Sequence, residues 1–177
     1  MEHLKYERNK IVGFDVKYTD EPAHDQKASV VQLSIGKTQT VLLFQLSVAK
    51  DKCTTFDNFL LDPRYTFLGF SVDQDIKKLD RVDLEIAHFV DIQKELKVLK
   101  STKYLDSLGD VSAILAHHYY IDMTHKMTNK DHRRWDRMPL SEKHIKYAEK
   151  DAYAAYEIWN HITLTLDGLR CKKIDKS

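Results

Sequence analysis

Three aspartates stand at positions where their carboxylates could converge on a divalent cation. Asp15 lies inside the apolar segment Ile11–Val16, where a buried carboxylate is costly without a cation or hydrogen-bond donors. Asp75 lies where a strand-like segment gives way to a helical one, and Asp151 follows Tyr147 by four residues. That spacing puts Tyr147 and Asp151 on one face of a helix. Two-metal hydrolysis of a phosphodiester needs such convergent carboxylates, because hard cations such as Mg²⁺ take oxygen ligands.

Strands are predicted first along the chain. Apolar β-branched and aromatic residues around Gly13 predict a strand over Lys10–Thr19. Two further apolar runs, Val30–Ile35 and Thr40–Leu46, are separated by a turn-like Gly36–Gln39 and predict a hairpin. Three sequential strands with short connections predict an antiparallel start to the sheet.

Helices and strands then alternate. Helical spacing and capping residues mark the helices, and short apolar runs mark the strands. In chain order the pattern predicts a helix over Thr55–Leu61, a strand over Thr66–Val72, a helix capped by Asp73, a strand at Phe89–Val90, helices through Ile92, Leu96 and Leu99 and through Leu108, Val111, Ile114 and Leu115, and a last helix from Ser141 to Gly168 with a core stripe of Ala148, Ala152, Ala155, Trp159 and Ile162.

This order of elements predicts one α/β domain over residues 1–177, a mixed sheet flanked by helices. The chain has the length of one domain, and its 42% hydrophobic content suffices for a core. A ribonuclease-H-like topology is one such arrangement. Periodicity alone does not select it over other α/β folds, so the motifs must decide.

Three motifs, in order and together spanning about Ile11 to Ile162, resemble those of the DEDDy 3'-5' exonucleases of the Werner-type and ribonuclease-D-like families. The first is Val12-Gly13-Phe14-Asp15, the second is the Gly69–Leu79 segment around Asp75, and the third is Tyr147-Ala148-Glu149-Lys150-Asp151-Ala152-Tyr153. The second strand, with Gln32, also resembles that of the family. The resemblance implies a ribonuclease-H-like fold of the DnaQ type.

The resemblance also implies roles for the motif residues. Asp15 would bridge two divalent ions, Mg²⁺ or Mn²⁺, and Asp151 would ligate the first of them. Asp75 would hold the second ion through water, and Tyr147 would orient the attacking water. The substrate would be a single-stranded 3' end of DNA or RNA, and small relatives allow a homo-oligomer.

Lys17 departs from the family, whose first motif is Asp-x-Glu. Residues two apart share a face of a strand, so the Lys17 ammonium points to the metal side with Asp15. We expect it to pair with Asp15 or Asp151, and metal binding and cleavage to be weak or lost. Asp20, Glu21 or Asp25 could supply the missing ligand. The alternative function is an inactive pseudo-exonuclease that binds nucleic acid or partner proteins.

Other residues allow two interpretations each. Asp73 competes with Asp75 for the second motif, and the register of Gly69 and Leu79 favours Asp75, with Asp73 as a helix cap. A basic segment before the third motif could grip phosphates and stack a base, or could be a solvated loop with its tryptophan packed inward. Its residues are Lys130, Arg133, Arg134 and Trp135. The histidines show no zinc-type spacing and are interpreted as surface residues: His117, His118, His125 and His132.

Composition limits the partners and the compartment. The 28 Lys and Arg nearly balance 27 Asp and Glu, so a nucleic-acid site must be a local patch. Two distant cysteines, Cys53 and Cys171, predict free thiols in a reducing compartment, the nucleus or the cytoplasm. No run approaches the ~20 apolar residues of a membrane helix, so no membrane partner is expected.

Overall fold

The computed structural model describes residues 10–19, 26–35, 40–95, 107–115 and 127–174. They form a five-stranded sheet with helices on both faces. The elements are β1 (Ile11–Tyr18), β2 (Ala28–Ile35), β3 (Thr40–Gln45), a 3-10 turn (Leu46–Val48), α1 (Thr54–Leu60), β4 (Thr66–Gly69), α2 (Asp73–Asp80), β5 (Phe89–Asp91), α3 (Ile92–Glu95), α4 (Leu108–Leu115), α5 (Asn129–His132) and α6 (Glu142–Ile174).

The sheet is mixed, in the order β3-β2-β1-β4-β5. The first three strands pair antiparallel, as the hairpin pattern predicted. Strands β4 and β5 then add parallel to β1. Strand β1 is therefore central, and its side chains are covered on both faces.

The two faces of β1 pack against different parts of the structure. Val12, Phe14 and Val16 are buried in the larger apolar core, with residues of α1 and α2. The alternate residues Gly13, Asp15 and Lys17 face the other way, toward α6. Strand alternation thus places a carboxylate and an ammonium together beneath one helix.

Helix α6 packs closely on β1 through small residues. Ala148, Ala152 and Ala155 are buried, as the predicted stripe required. A Cβ atom at Gly13 would overlap the carbonyl oxygen of Ala152, so only glycine permits this approach. The helix continues to Ile174 and does not stop at Gly168 as predicted, because a single glycine costs a helix only about 1 kcal/mol.

The turn between β4 and α2 also corrects two predictions. The strand ends at Gly69 rather than Val72, because the chain turns through Ser71, whose φ is 59°. Asp73 is the first residue of α2 and is not its N-cap. The N-cap is Val72, whose side chain makes no hydrogen bond to the start of the helix. Instead Asp91, at the end of β5, accepts hydrogen bonds from the backbone N–H groups of Ser71 and Val72 at 3.1 and 3.3 Å.

Three other expectations meet the described ranges only in part. Helix α3 is described from Ile92 to Glu95, and Leu96 and Leu99, which were also predicted to be helical, lie outside the described residues. Cys53 is a free, exposed thiol. Within the described ranges, no helix combines the length and the apolar character that crossing a bilayer requires.

Candidate active site

Asp15 and Asp151 meet at one ammonium group, that of Lys17. The Lys17 Nζ atom lies 2.6 Å from Asp15 Oδ2 and also donates a short hydrogen bond to Asp151 Oδ2. Since both carboxylates contact one nitrogen, their oxygens lie no more than about 5 Å apart, within the reach of two ligands on one cation. The predicted pairing of Lys17 is confirmed, and it involves both aspartates rather than one.

The Lys17 ammonium is held in its charged form. Burial alone would lower the pKa of Lys17, but the charges of Asp15 and Asp151 outweigh burial and raise that pKa above its usual value. The Lys17 side chain is 13% exposed, and its Nζ lies 4.9 Å from the centre of the Tyr147 ring. The cation is thus enclosed by two carboxylates and an aromatic face.

Asp75 completes the group of three carboxylates. Its residue is 9% exposed, and burial, followed by the charge of Asp15, raises the pKa of Asp75 from 3.8 to about 8. Asp73, by contrast, lies outward and pairs with Lys94 at 2.6 Å, with both side chains 60% exposed. Asp75 is therefore the residue of α2 that faces Asp15, as the register of the second motif indicated.

Gln32 on β2 orients Asp15. The strand that carries Gln32 was identified from the sequence, but this contact was not predicted. Gln32 lies opposite Asp15 in the antiparallel pair of β2 and β1, and its Nε2 donates a 2.8 Å hydrogen bond to Asp15 Oδ2. Its side chain is fully buried, and its Oε1 has no hydrogen-bond partner among the described residues. Asp15 Oδ2 thus receives donors from both Gln32 and Lys17.

Trp135 packs inward beneath the third motif. It is fully buried, and its ring lies 6.2 Å from that of Tyr147 and 4.7 Å from that of His144. Of the two interpretations left open by the sequence, inward packing is correct, and the stacking of a base on Trp135 is wrong because neither ring face is open. His132 is likewise not a plain surface residue, since it contacts the Tyr147 ring edge-on at 5.6 Å.

The basic residues before the third motif surround a short helix rather than a loop. Thr128 and Asp131 form a capping box at the start of α5. Lys130 and Arg133 are exposed, and Arg134 is partly exposed. These charges are available to a ligand. The other histidines considered for zinc lie outside the described residues: His117, His118 and His125.

The donor set does not fit a divalent ion at the position between Asp15 and Asp151. Carboxylate oxygens are suitable ligands, but the Lys17 ammonium already occupies that position and would repel a second cation. Across the described residues, no cluster of three His, Cys, Asp or Glu side chains is arranged to hold a metal. The alternative ligands Asp20, Glu21 and Asp25 lie outside the described residues.

Comparison with known proteins identifies the family. No curated protein sequence matches the chain. Among solved structures, Brucella melitensis NrnC bound to pGG is 18% identical, with 95% of this chain and 79% of that chain covered and a TM-score of 0.71. NrnC with bound Mg²⁺ is 17% identical over 95% of this chain and 80% of that chain, with a TM-score of 0.68.

Trypanosoma brucei RNase D in complex with RNA U12 is 17% identical, with 87% of this chain and 55% of that chain covered and a TM-score of 0.64. At such identities the likeness establishes the fold, a ribonuclease-H-like mixed sheet as predicted. The family model described as 3'-5' exonuclease matches residues 3–167, which is most of the chain. The chain therefore belongs to the 3'-5' exonuclease family.

Proposed function

We propose that the chain binds the 3' ends of single-stranded nucleic acid and hydrolyses them weakly or not at all. The observation that carries this proposal is the Lys17 ammonium between Asp15 and Asp151. In a DEDDy site those two carboxylates would hold the first Mg²⁺ or Mn²⁺. Here a fixed single positive charge stands in that place.

The charge balance explains why hydrolysis is impaired. Replacing a carboxylate by an ammonium changes the formal charge of the site by two units. A divalent ion must then displace a lysine that two carboxylates hold, and it gains only two of its usual ligands there. Each ~1.4 kcal/mol of stabilisation lost from the transition state lowers the rate tenfold, so a loss of several kcal/mol leaves little turnover.

Binding of nucleic acid is supported separately. Fold relatives were solved with pGG and with RNA U12. Lys130 and Arg133 offer exposed positive charge beside the third motif. Because the net charge of the chain is only +1, this local patch must supply the attraction to phosphates.

A second candidate is a pseudo-exonuclease that serves as a protein-binding or assembly module. The same Lys17 observation favours it, since a site without metal has no need to hold a substrate in a reactive position. The two candidates differ in whether the chain binds a nucleic-acid strand.

Replacing both Lys130 and Arg133 by Ala is expected to weaken binding of a fluorescent single strand about tenfold or more. The slope of the log binding constant against log salt concentration should become shallower by about one to two, because two phosphate contacts are lost. Fluorescence anisotropy in DNA and RNA titrations measures both quantities. As a matched control, the exposed Lys27 and Lys50 are both replaced by Ala, which removes the same total charge at a different place. These two lysines line a separate cleft of about 480 Å³.

The control variant should bind like the wild type. If the wild-type chain binds neither DNA nor RNA, the proposed function is wrong and the protein-binding candidate takes its place. Equal weakening in the two double variants would show that the attraction is diffuse and does not come from the segment before α6.

A further inference from the structure

A second buried lysine, Lys78, lies beside the carboxylates. It is on α2, three residues after Asp75 and so on the same helix face. Only 5% of the residue is exposed. Its Nζ lies 3.6 Å from the centre of the Tyr18 ring and 3.5 Å from the backbone oxygen of Gln74.

The described residues give the Lys78 ammonium no anionic contact of the kind that Lys17 has. Among the described residues, no carboxylate lies within ion-pair distance of Lys78, whereas Lys17 touches two. An ammonium has three N–H donors, and within the described part of the chain only one of them makes a hydrogen bond, a long one to the backbone oxygen of Gln74. A buried charge with unused donors is costly, and burial indeed lowers the pKa of Lys78.

The nearest carboxyl group does not relieve this cost. Lys78 lies on the face of α2 that also carries the buried Asp75. Among the described residues, however, no ion pair joins Asp75 to Lys78. Asp15 is already engaged by Lys17 and Gln32. Lys78 is left as a buried cation whose anion is missing from the described part of the chain.

We propose that Lys78 binds a phosphate group of a nucleic-acid strand held beside the carboxylates of Asp15, Asp75 and Asp151, directly and without a divalent cation. The proposal rests on the proposed function, because it names one contact by which the chain holds its strand. A phosphate offers several anionic oxygens to the unused N–H donors, and lysine binds phosphate as a point charge. Phosphates take half or more of the hydrogen bonds that proteins make to DNA.

The first test uses thermal unfolding in EDTA with inorganic phosphate as the probe. Lys78→Met should unfold no lower than the wild type when phosphate is absent, because it removes a poorly compensated buried charge. Added phosphate should raise the midpoint of the wild type and of Lys77→Met by a few degrees, and leave Lys78→Met unchanged. Lys77 is the matched control, since it is the exposed neighbour on the same helix.

A structural role gives the opposite pattern. If Lys78 only supports the Tyr18 ring, Lys78→Met unfolds earlier and phosphate shifts all three proteins alike, which overturns the proposal. Lys78→Arg guards against a folding defect of the Met variant: it keeps the charge and should keep the response to phosphate. An Arg variant that folds like the wild type and ignores phosphate also counts against the proposal.

The second test identifies the source of the phosphate with labelled DNA and RNA strands in EDTA. Lys78→Met should bind them at least tenfold more weakly than the wild type, and Lys77→Met within about threefold of it. Equal binding by the wild type and Lys78→Met overturns the role of Lys78 while the proposed function stands. If no strand binds the wild type, yet inorganic phosphate stabilises it through Lys78, both the proposed function and the strand as ligand are wrong.

Discussion

Lys17→Glu is expected to convert the chain into a Mn²⁺-dependent 3'-5' exonuclease at least about a hundredfold faster than the wild type, which corresponds to about 3 kcal/mol of regained transition-state stabilisation. The substitution removes the ammonium from between Asp15 and Asp151 and restores the Asp-x-Glu pattern of the first motif. Residue 17 already shares a strand face with Asp15, so the new carboxylate has the right direction.

The rate is measured by release of 3'-terminal nucleotides from labelled single strands of DNA and RNA. Lys17→Met separates loss of the cation from gain of a ligand and should be far slower than Lys17→Glu. Asp15→Asn combined with Lys17→Glu should be inactive, which excludes a contaminating nuclease. Brisk cleavage by the wild type that Asp15→Asn abolishes would mean that Lys17 is not disabling and that another carboxylate serves.

Lys17→Met is also expected to destabilise the metal-free chain by about 3 kcal/mol, because removing one partner of a buried ionic group leaves the others uncompensated. Here two carboxylates, with side chains 19% and 14% exposed, would be left facing each other. Denaturant unfolding in EDTA measures the change. Lys146→Met is the matched control: its pair with Glu142 is exposed on both sides, so its loss should cost no more than about 1 kcal/mol.

A double variant tests the cause of that loss. Adding Asp151→Asn to Lys17→Met removes one of the two facing charges and should recover about 1 kcal/mol or more. Two results would show that the ammonium is not the counter-ion of this carboxylate pair. Lys17→Met could be as stable as the control, or Asp151→Asn could lower the stability of Lys17→Met by about a further 3 kcal/mol.

Much of the candidate site follows from simple periodicity. Strand alternation puts Asp15 and Lys17 on one face, and four-residue spacing puts Tyr147 and Asp151 on one face of α6. That β1 and α6 meet was implied by the resemblance of the motifs to those of the DEDDy exonucleases, and with the two spacings it predicted that Lys17 pairs with Asp15 or Asp151. The two spacings concern residues near each other in sequence, whose relative directions the backbone geometry determines.

Contacts between distant segments were not predictable in this way. Nothing local to Trp135 shows that α6 and β2 close over it, and nothing local to Lys78 shows that it is buried against Tyr18. The capping role of Asp73 was wrongly assigned, because α2 begins at Asp73 itself. The backbone N–H groups of the preceding Ser71 and Val72 donate hydrogen bonds to Asp91, from another strand. The hydrogen bond from Gln32 to Asp15 likewise depends on the strand register.

Anomalous diffraction from crystals of the wild-type chain soaked in Mn²⁺ tests most directly whether the Lys17 ammonium stands where a metal ion would bind. We expect no manganese peak between the Asp15 and Asp151 carboxylates, and the Lys17 Nζ atom in contact with both. The same soak of Lys17→Glu crystals should show manganese there. A peak bridging Asp15 and Asp151 in the wild type, with Lys17 displaced, would contradict this account.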